Sequence, residues 1–373
     1  MIARLKSSAG PVIVPALSIL LALLVASVLI IASGLIGEEK KVDLILPLVA
    51  YRSLLVGAFG SFKGIANMVV AATPLMLTGL AVGVGLKAGL FNIGATGQVL
   101  LGGFAAALVG GFVAGAPTWI AIPAAMLGGM LAGALAGFIP GFLKAFTGAH
   151  EVVTTIMLNA LIQLTISGMV NDVFRIPGFS FARTAPVGSA ELVGLGNTTL
   201  HVGVIVAFVC IPLSYWLLWR TTIGFEIRAV GANPTAARYA GMNPRRMIIL
   251  TMAMCGAFAG LAGTMEILRF GYYPAVFGTS IGFDGITVAL LGQASPVGIM
   301  LSALLLGAMR AGAPLMQIQA RVPVEIIDVI QGVILVFLAA EIVVRRVFGL
   351  RAAGPGAGEL QTITRTYGEK VAG

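Results

Sequence analysis

The sequence predicts an all-α polytopic membrane protein, and three observations carry that prediction. Of 373 residues, 58% are hydrophobic and 10% charged, with a mean hydropathy of +1.03, whereas a soluble domain carries about 25% charged residues. Apolar runs long enough to span hydrocarbon recur along the chain, separated by short polar joints. Fifty glycines suit helices that approach closely in lipid, where small residues let backbones touch. About ten transmembrane segments are expected, in two pseudo-repeats with broken or short helices, both termini cytoplasmic. The net charge of +9 does not signal nucleic acid as a partner. Its cations gather at the N-terminus (Arg4, Lys6), in one internal loop, and at the C-terminus (Arg345, Arg346, Arg351, Arg365, Lys370). That is the positive-inside bias of a multi-pass protein of a bacterial inner membrane, with lipid around it. Cys210 and Cys255 fall inside spans and suit neither a disulfide framework nor a metal site.

In chain order, Arg4 and Lys6 precede an apolar run at 12–32. It is too long for a signal-peptide core and lacks a convincing cleavage site, so it reads as a retained span. Residues 37–43 form an outside polar loop, and 44–70 is mixed enough to be partly interfacial. From Pro74 the pattern changes: a short apolar segment at 75–86, a polar glycine-bearing junction at 87–94, then 99–113. Neither flank reads as an uninterrupted 20-mer, and such a junction is tolerated only when buried in protein or lining a cavity. The next span, 118–138, ends near Lys144. Along 151–171, Glu151, Thr155, Asn159, Gln163, Ser167 and Asn171 recur every fourth residue, a stripe that stays roughly on one helix face. It serves either as interhelical hydrogen-bond glue or as the polar wall of a path.

A moderately polar loop at 172–199 precedes spans at 201–219 and 247–267, between which lies the polar stretch 224–243. There Asn233 then Pro234 reads as an N-cap with proline in the first helical position, and Gly241 as the C-cap of a short exposed helix. Glu226, Arg228, Arg238, Arg245 and Arg246 flank it. Taken by itself the stretch is either a docking surface for a cytoplasmic partner or a solvated turn that sets orientation. Glu266 and Arg269, three apart, suit an ion pair. A loop at 271–280, a short apolar segment at 281–291 carrying Asp284, a break at 293–296 and spans at 297–311 and 324–344 complete the chain. Glu325 and Asp328, with Arg345 and Arg346, complement the last helix dipole. The two interrupted segments, one per half, point to an internal repeat and a substrate path between the halves.

Enzyme signatures fail. His150-Glu151 opens like HExxH, but position 154 is Thr and the other histidine is His201. Gly83, Gly85 and Gly89 have the wrong spacing for a dinucleotide fold, and no GxxxxGK[ST] loop exists to bind ATP. Uphill transport would therefore draw on a coupled ion or on a separate ATPase.

Residues 224–243 resemble the cytoplasmic loop of ABC importer permeases of the ribose and branched-chain amino-acid type. The matching positions are Gly224, Arg228, Ala229, Gly231, Asn233, Ala236, Ala237, Gly241 and Asn243, and the match runs on into the small-residue span 255–263. KAGLFNIGATGQ at 87–98, HEVVTTIMLN at 150–159 and GFDGITVALLG at 282–292 look like nucleoside-type permeases served by Bmp-like binding proteins, in particular the longer of two paired subunits. The resemblance implies a permease domain at 1–346, a cytoplasmic tail at 347–373, and a coupling helix within 224–243 that docks into an ATPase subunit. It implies ATP and Mg on that ATPase and no cofactor on this chain. It also implies a second, non-identical permease subunit and an extracytoplasmic solute-binding protein. Coupling would rest on Gly224, Glu226, Arg228, Gly231, Asn233, Ala236, Ala237, Arg238, Gly241 and Asn243. Phe91, Asn92, Gln98, Asn159, Gln163 and Asp284 are the expected path lining, since amides can donate and accept toward a base or ribose and Phe can stack. Simple-sugar or branched-chain amino-acid import, an ion-coupled transporter and a structural or receptor subunit are the competing readings.

Overall fold

The computed structural model describes residues 10–36, 44–196, 198–277 and 280–339. The helices are α1 Gly10–Ile36, α2 Leu46–Phe59, α3 Phe62–Lys87, α4 Ala95–Phe112, α5 Thr118–Thr147, α6 Glu151–Gly168, α7 Val202–Arg220, α8 Thr222–Ala232, α9 Pro234–Tyr239, α10 Pro244–Phe270, α11 Ser280–Leu291, α12 Pro296–Ala320 and α13 Ile326–Ala339. A π turn, Met169–Val173, extends α6. Among the described residues, eight helices are long and apolar enough to cross a membrane; α2, α11 and α13 are shorter apolar helices. This is the polytopic all-α architecture the composition predicts. The loop at 37–43, the end of the last span with Arg345 and Arg346, and the tail at 347–373 lie outside the described residues, as do Arg4 and Lys6.

The chain forms two compact units, Ser61–Ala308 and, together, Met1–Gly60 with Met309–Gly373. In the second of these, Tyr51 Oη donates to the Leu23 carbonyl at 2.6 Å, tying α2 to α1. Ser53 Oγ donates to Gln319 Oε1 at 2.7 Å, tying α2 to the end of α12. In Ser61–Ala308 the central helix is α10, buried along Met252, Cys255, Gly256, Ala259, Gly260 and Gly263. A Cβ on Gly256 would overlap the Gly133 carbonyl of α5, and one on Gly263 would overlap the Val99 carbonyl of α4. The three helices therefore meet backbone to backbone, which only glycine permits in a membrane bundle.

Several boundaries differ from the sequence reading. The segment expected at 75–86 is the second half of the 26-residue helix α3, which runs straight through Pro74. Pro74 has no N–H for the Val70 carbonyl, and the helix continues because the stretch around it, from Ala72 to Gly85, is buried in the bundle. The stretch 44–70 is not one interfacial segment but α2 and the start of α3, parted at Gly60 and Ser61, where Ser61 Oγ caps α3 by accepting from Gly64 N at 3.0 Å. Likewise α5 continues to Thr147 through Pro140, and α12 continues to Ala320 through Pro314. Half of the stretch 224–243, expected as loop, is the 11-residue helix α8.

Candidate functional site: the capped loop and the break beside it

Three caps in succession shape the loop. Thr221 Oγ1 accepts from Gly224 N at 3.1 Å and starts α8. Asn233 Oδ1 accepts from Ala236 N at 2.9 Å and starts α9 with Pro234 in its first turn. Asn243 Oδ1 accepts from Arg246 N at 3.2 Å and starts α10. Between the last two, Gly241 turns the chain at φ +86°, a conformation that favours glycine. Gly224 is pressed against the last turn of α7, and Arg228 Nε donates to the Leu218 carbonyl at 3.0 Å with its guanidinium over Trp219. So α8 folds back on α7. Its apolar face, Ile227 and Val230, joins Ala237, Met247, Val84 of α3 and Ala88, which follows that helix, in one buried cluster. Opposite that cluster, Ala236, Arg238 and the 90% exposed Tyr239 face outward, and Glu226 is half-buried.

Gly231 connects this loop to the first break. A Cβ there would overlap the Lys87 carbonyl, so the end of α8 seats directly on the end of α3. From that point α3 stops through a left-handed turn, with Gly89 at φ +69° and Leu90 N donating to the Gly85 carbonyl at 2.9 Å. Asn92 is fully buried and pairs with Gln98 through both amides, Nδ2 to Oε1 at 2.9 Å and Nε2 to Oδ1 at 3.2 Å. Its Oδ1 also accepts from Gly94 N at 3.1 Å. Asn159 of α6 reaches across: its Oδ1 accepts from Gly97 N at 2.8 Å and its Nδ2 donates to the Ile93 carbonyl at 2.9 Å. The polar backbone of the break is thus satisfied by side chains, as membrane burial requires.

Glu151, 1% exposed, holds the same place from the start of α6. It pairs with Lys144, lies 3.9 Å from His150 Nδ1, and sits 3.5 Å from the amide of the half-buried Phe91. The sequence places Glu151 at the head of the polar stripe but does not show its partner Lys144. The available signal was Lys144, seven residues earlier across the turn at Gly148.

Asp284 is buried on α11, flanked by Gly282 and Gly285, which seat on Thr96 of α4 and Thr78 of α3. The second break follows α11, with Gln293 and Ala294 both left-handed at φ +53° and +50°; non-glycine residues adopt this only when their surroundings enforce it. Ala294 packs on Gly83 of α3, so both breaks adjoin the same helix. Gln163 lies apart from this cluster. It is exposed on α6, one turn beyond Asn159, beside a cleft of about 100 Å³ at the end remote from α9. That cleft includes Tyr273, which the sequence reading passed over as loop.

At that remote end the loop 174–199 is knitted to 271–277: Arg183 bridges to Pro274, and Val187 N donates to the Gly271 carbonyl at 2.8 Å. Glu266 and Arg269 pair at 2.7 Å. His201, buried beside them, has its pKa lowered to about 4, by burial first and by the Arg269 charge second. Burial raises the Tyr273 phenol, which therefore stays protonated.

Comparison with known proteins gives this arrangement a family. The model of the family described as "Branched-chain amino acid transport system / permease component" matches residues 64–339. The chain belongs to that permease family. Its relatives include the guanosine ABC transporter permease protein NupP of Bacillus subtilis, 39% identical over 90% of this chain and 95% of that one. The nucleoside ABC transporter permease protein NupB of Lactococcus lactis is 35% identical over 89% and 92%. The glucose ABC transporter permease protein TsgB13 of Haloferax volcanii is 33% identical over 87% and 86%. No solved structure matches. The matched region of this permease includes the loop, both breaks and the polar face of α6.

Proposed function

We propose that this chain is one of two permease subunits of an ATP-binding-cassette importer carrying a purine-type nucleoside inward. The observation that carries the substrate is the likeness to the guanosine permease, which extends over nearly all of both chains. In this reading a separate ATPase subunit binds ATP and Mg, a second, non-identical permease completes the path, and an extracytoplasmic binding protein delivers the solute. The match to two different guanosine permeases of Bacillus subtilis, NupP and NupQ, supports the non-identical pair. Lys87, Lys144, Arg220, Arg228, Arg238, Arg245 and Arg246 gather at the loop end, which supports a cytoplasmic loop in a bacterial inner membrane. Residues 1–346 would form the permease domain and 347–373 a cytoplasmic tail. The chain itself takes no cofactor and no nucleic acid.

Closure of the ATPase domains would push on the outward face of α9. Because α8 seats through Gly231 on Lys87 and Ala88, the push would reach the break that carries Phe91, Asn92 and Gln98. Gly224 and Arg228 would pass it to α7, and Asn243 to α10. The α6 face that carries Asn159 and Gln163 would line the path, since an amide exposed to lipid is costly, and Asp284 would stand where the second break meets the first. A simple-sugar substrate is the second reading, favoured by the likeness to the glucose permease TsgB13.

The test is uptake of labelled purine nucleosides by cells carrying this subunit with its ATPase and second permease. Ala236→Glu places a charge on the exposed side of α9 and should abolish uptake while the protein remains in the membrane at wild-type level. Competition by guanosine or adenosine but not ribose supports the nucleoside. Ribose alone competing moves the substrate to sugars, and uptake undisturbed by the substitution refutes coupling through α9.

A further inference from the structure

Tyr273 is 2% exposed, yet its only hydrogen bonds among the described residues are those of its backbone. Its amide donates to Thr184 Oγ1 at 3.0 Å and its carbonyl accepts from Thr184 N at 3.0 Å. The hydroxyl has no protein partner among the described residues. The ring is fixed edge-on against Phe104 at 5.5 Å, and Phe277 lies 5.5 Å away on another side. Phe104 is in turn braced by Phe174 at 5.6 Å. The side chain cannot swing off to satisfy itself elsewhere.

The cleft of about 100 Å³ lies beside it, lined also by Phe277 and, from α6, by Gln163 and Ser167. The Gln163 amide likewise makes no hydrogen bond among the described residues, and the Ser167 hydroxyl has only a 3.5 Å contact with Asn171. A tyrosine, a glutamine and a serine therefore line one small cleft together with the Phe277 ring. All three can both donate and accept.

We propose that this cleft is a base-reading subsite of the permease, at the end of the path remote from the ATPase. Phe277 offers a ring to the heterocycle, and Tyr273 Oη and the Gln163 amide read its hydrogen-bonding edge. The proposal rests on the nucleoside reading and adds to it the residues that select the base. Tyr273 stands on the loop 271–277 next to α11, so solute seated there would touch the segment leading to Asp284 and the second break.

The experiment uses the complete transporter in proteoliposomes, with its binding protein saturated with tritiated guanosine. The readout is guanosine moved per ATP hydrolysed, so that selection is separated from assembly. Tyr273→Phe removes one oxygen and leaves the aromatic packing; Gln163→Ala alters an exposed side chain that makes no hydrogen bond among the described residues. Each should lower guanosine moved per ATP about three- to tenfold, the worth of one hydrogen bond, while binding-protein-stimulated ATP hydrolysis stays near the wild-type rate. An unchanged ratio in both variants, with the wild type transporting guanosine, overturns the subsite and leaves the nucleoside reading standing. Parallel loss of transport and stimulated hydrolysis in both assigns the residues to packing and also overturns it. A wild type that moves ribose and no nucleoside refutes the nucleoside reading, and the subsite with it.

Discussion

At Asn92 the effect of a single substitution can be worked out atom by atom. Asn92→Leu leaves the Gln98 amide and Gly94 N without their partners in a fully buried place, and unsatisfied buried groups cost about 1–3 kcal/mol each. Asn92→Leu with Gln98→Leu removes both amides and should cost less than the sum of the single changes, because contacting residues do not act additively. Thermal unfolding of the detergent-solubilised complex measures both; strict additivity would show that the pair does not act as a unit. His201 gives a second outcome at this scale. Its folded pKa of about 4 lies below the ordinary 6.5, so the neutral imidazole favours the folded state. That contribution is complete above pH 6.5 and is lost as pH falls toward 4, where the unfolded chain has already taken up its proton. The unfolding midpoint should drop over that window, and His201→Gln should flatten the drop; an identical pH profile in the variant would remove His201 as the cause.

Among the elements, α6 is anchored at its start by the Lys144–Glu151 pair and about two turns later by Asn159. Lys144→Met removes the lysine from a buried carboxylate that keeps His150 and the Phe91 amide nearby, and losing a charged hydrogen-bond partner should cost about 1–3 kcal/mol. Adding Glu151→Gln should restore much of the stability, since a neutral amide needs no counter-charge. The measurement is the unfolding midpoint of the three proteins side by side, and a double variant no better than Lys144→Met would mean that the carboxylate was not the source of the loss. This scale also shows what the sequence disclosed and what it hid. Caps were legible: Asn233 and Gly241 have local signatures and act where their spacing places them, whereas the cap at Asn243 emerges only in the structure. Proline was misleading, because Pro74 sits in a helix buried on all sides by its neighbours, where packing outweighs the one hydrogen bond it removes. The helix α8 was hidden because one of its stabilising contacts, Gly231 on Lys87, comes from a segment far away in the chain that no local pattern reveals.

Taken as a whole molecule, the class and the family were legible, since composition and the motif at 224–243 depend on residue type alone. Contacts between distant segments were not. The sequence brought Asn92, Gln98 and Asn159 forward as polar residues of a path, and the structure adds that they pair with one another and with backbone. It gave no hint of Tyr273, because the signal there is a missing partner, visible only when every neighbour is in place. The meeting of α4, α5 and α10 on bare backbone also bears on synthesis. Gly133 leaves the ribosome well over a hundred residues before Gly256, a delay on the order of ten seconds at ordinary elongation rates. For that interval the groove on α4 and α5 is lined by glycines that only another glycine face can fit. A nascent chain halted between α7 and α10 would therefore hold an empty seat at its centre, which lipid tails must fill until translation delivers the helix that belongs there.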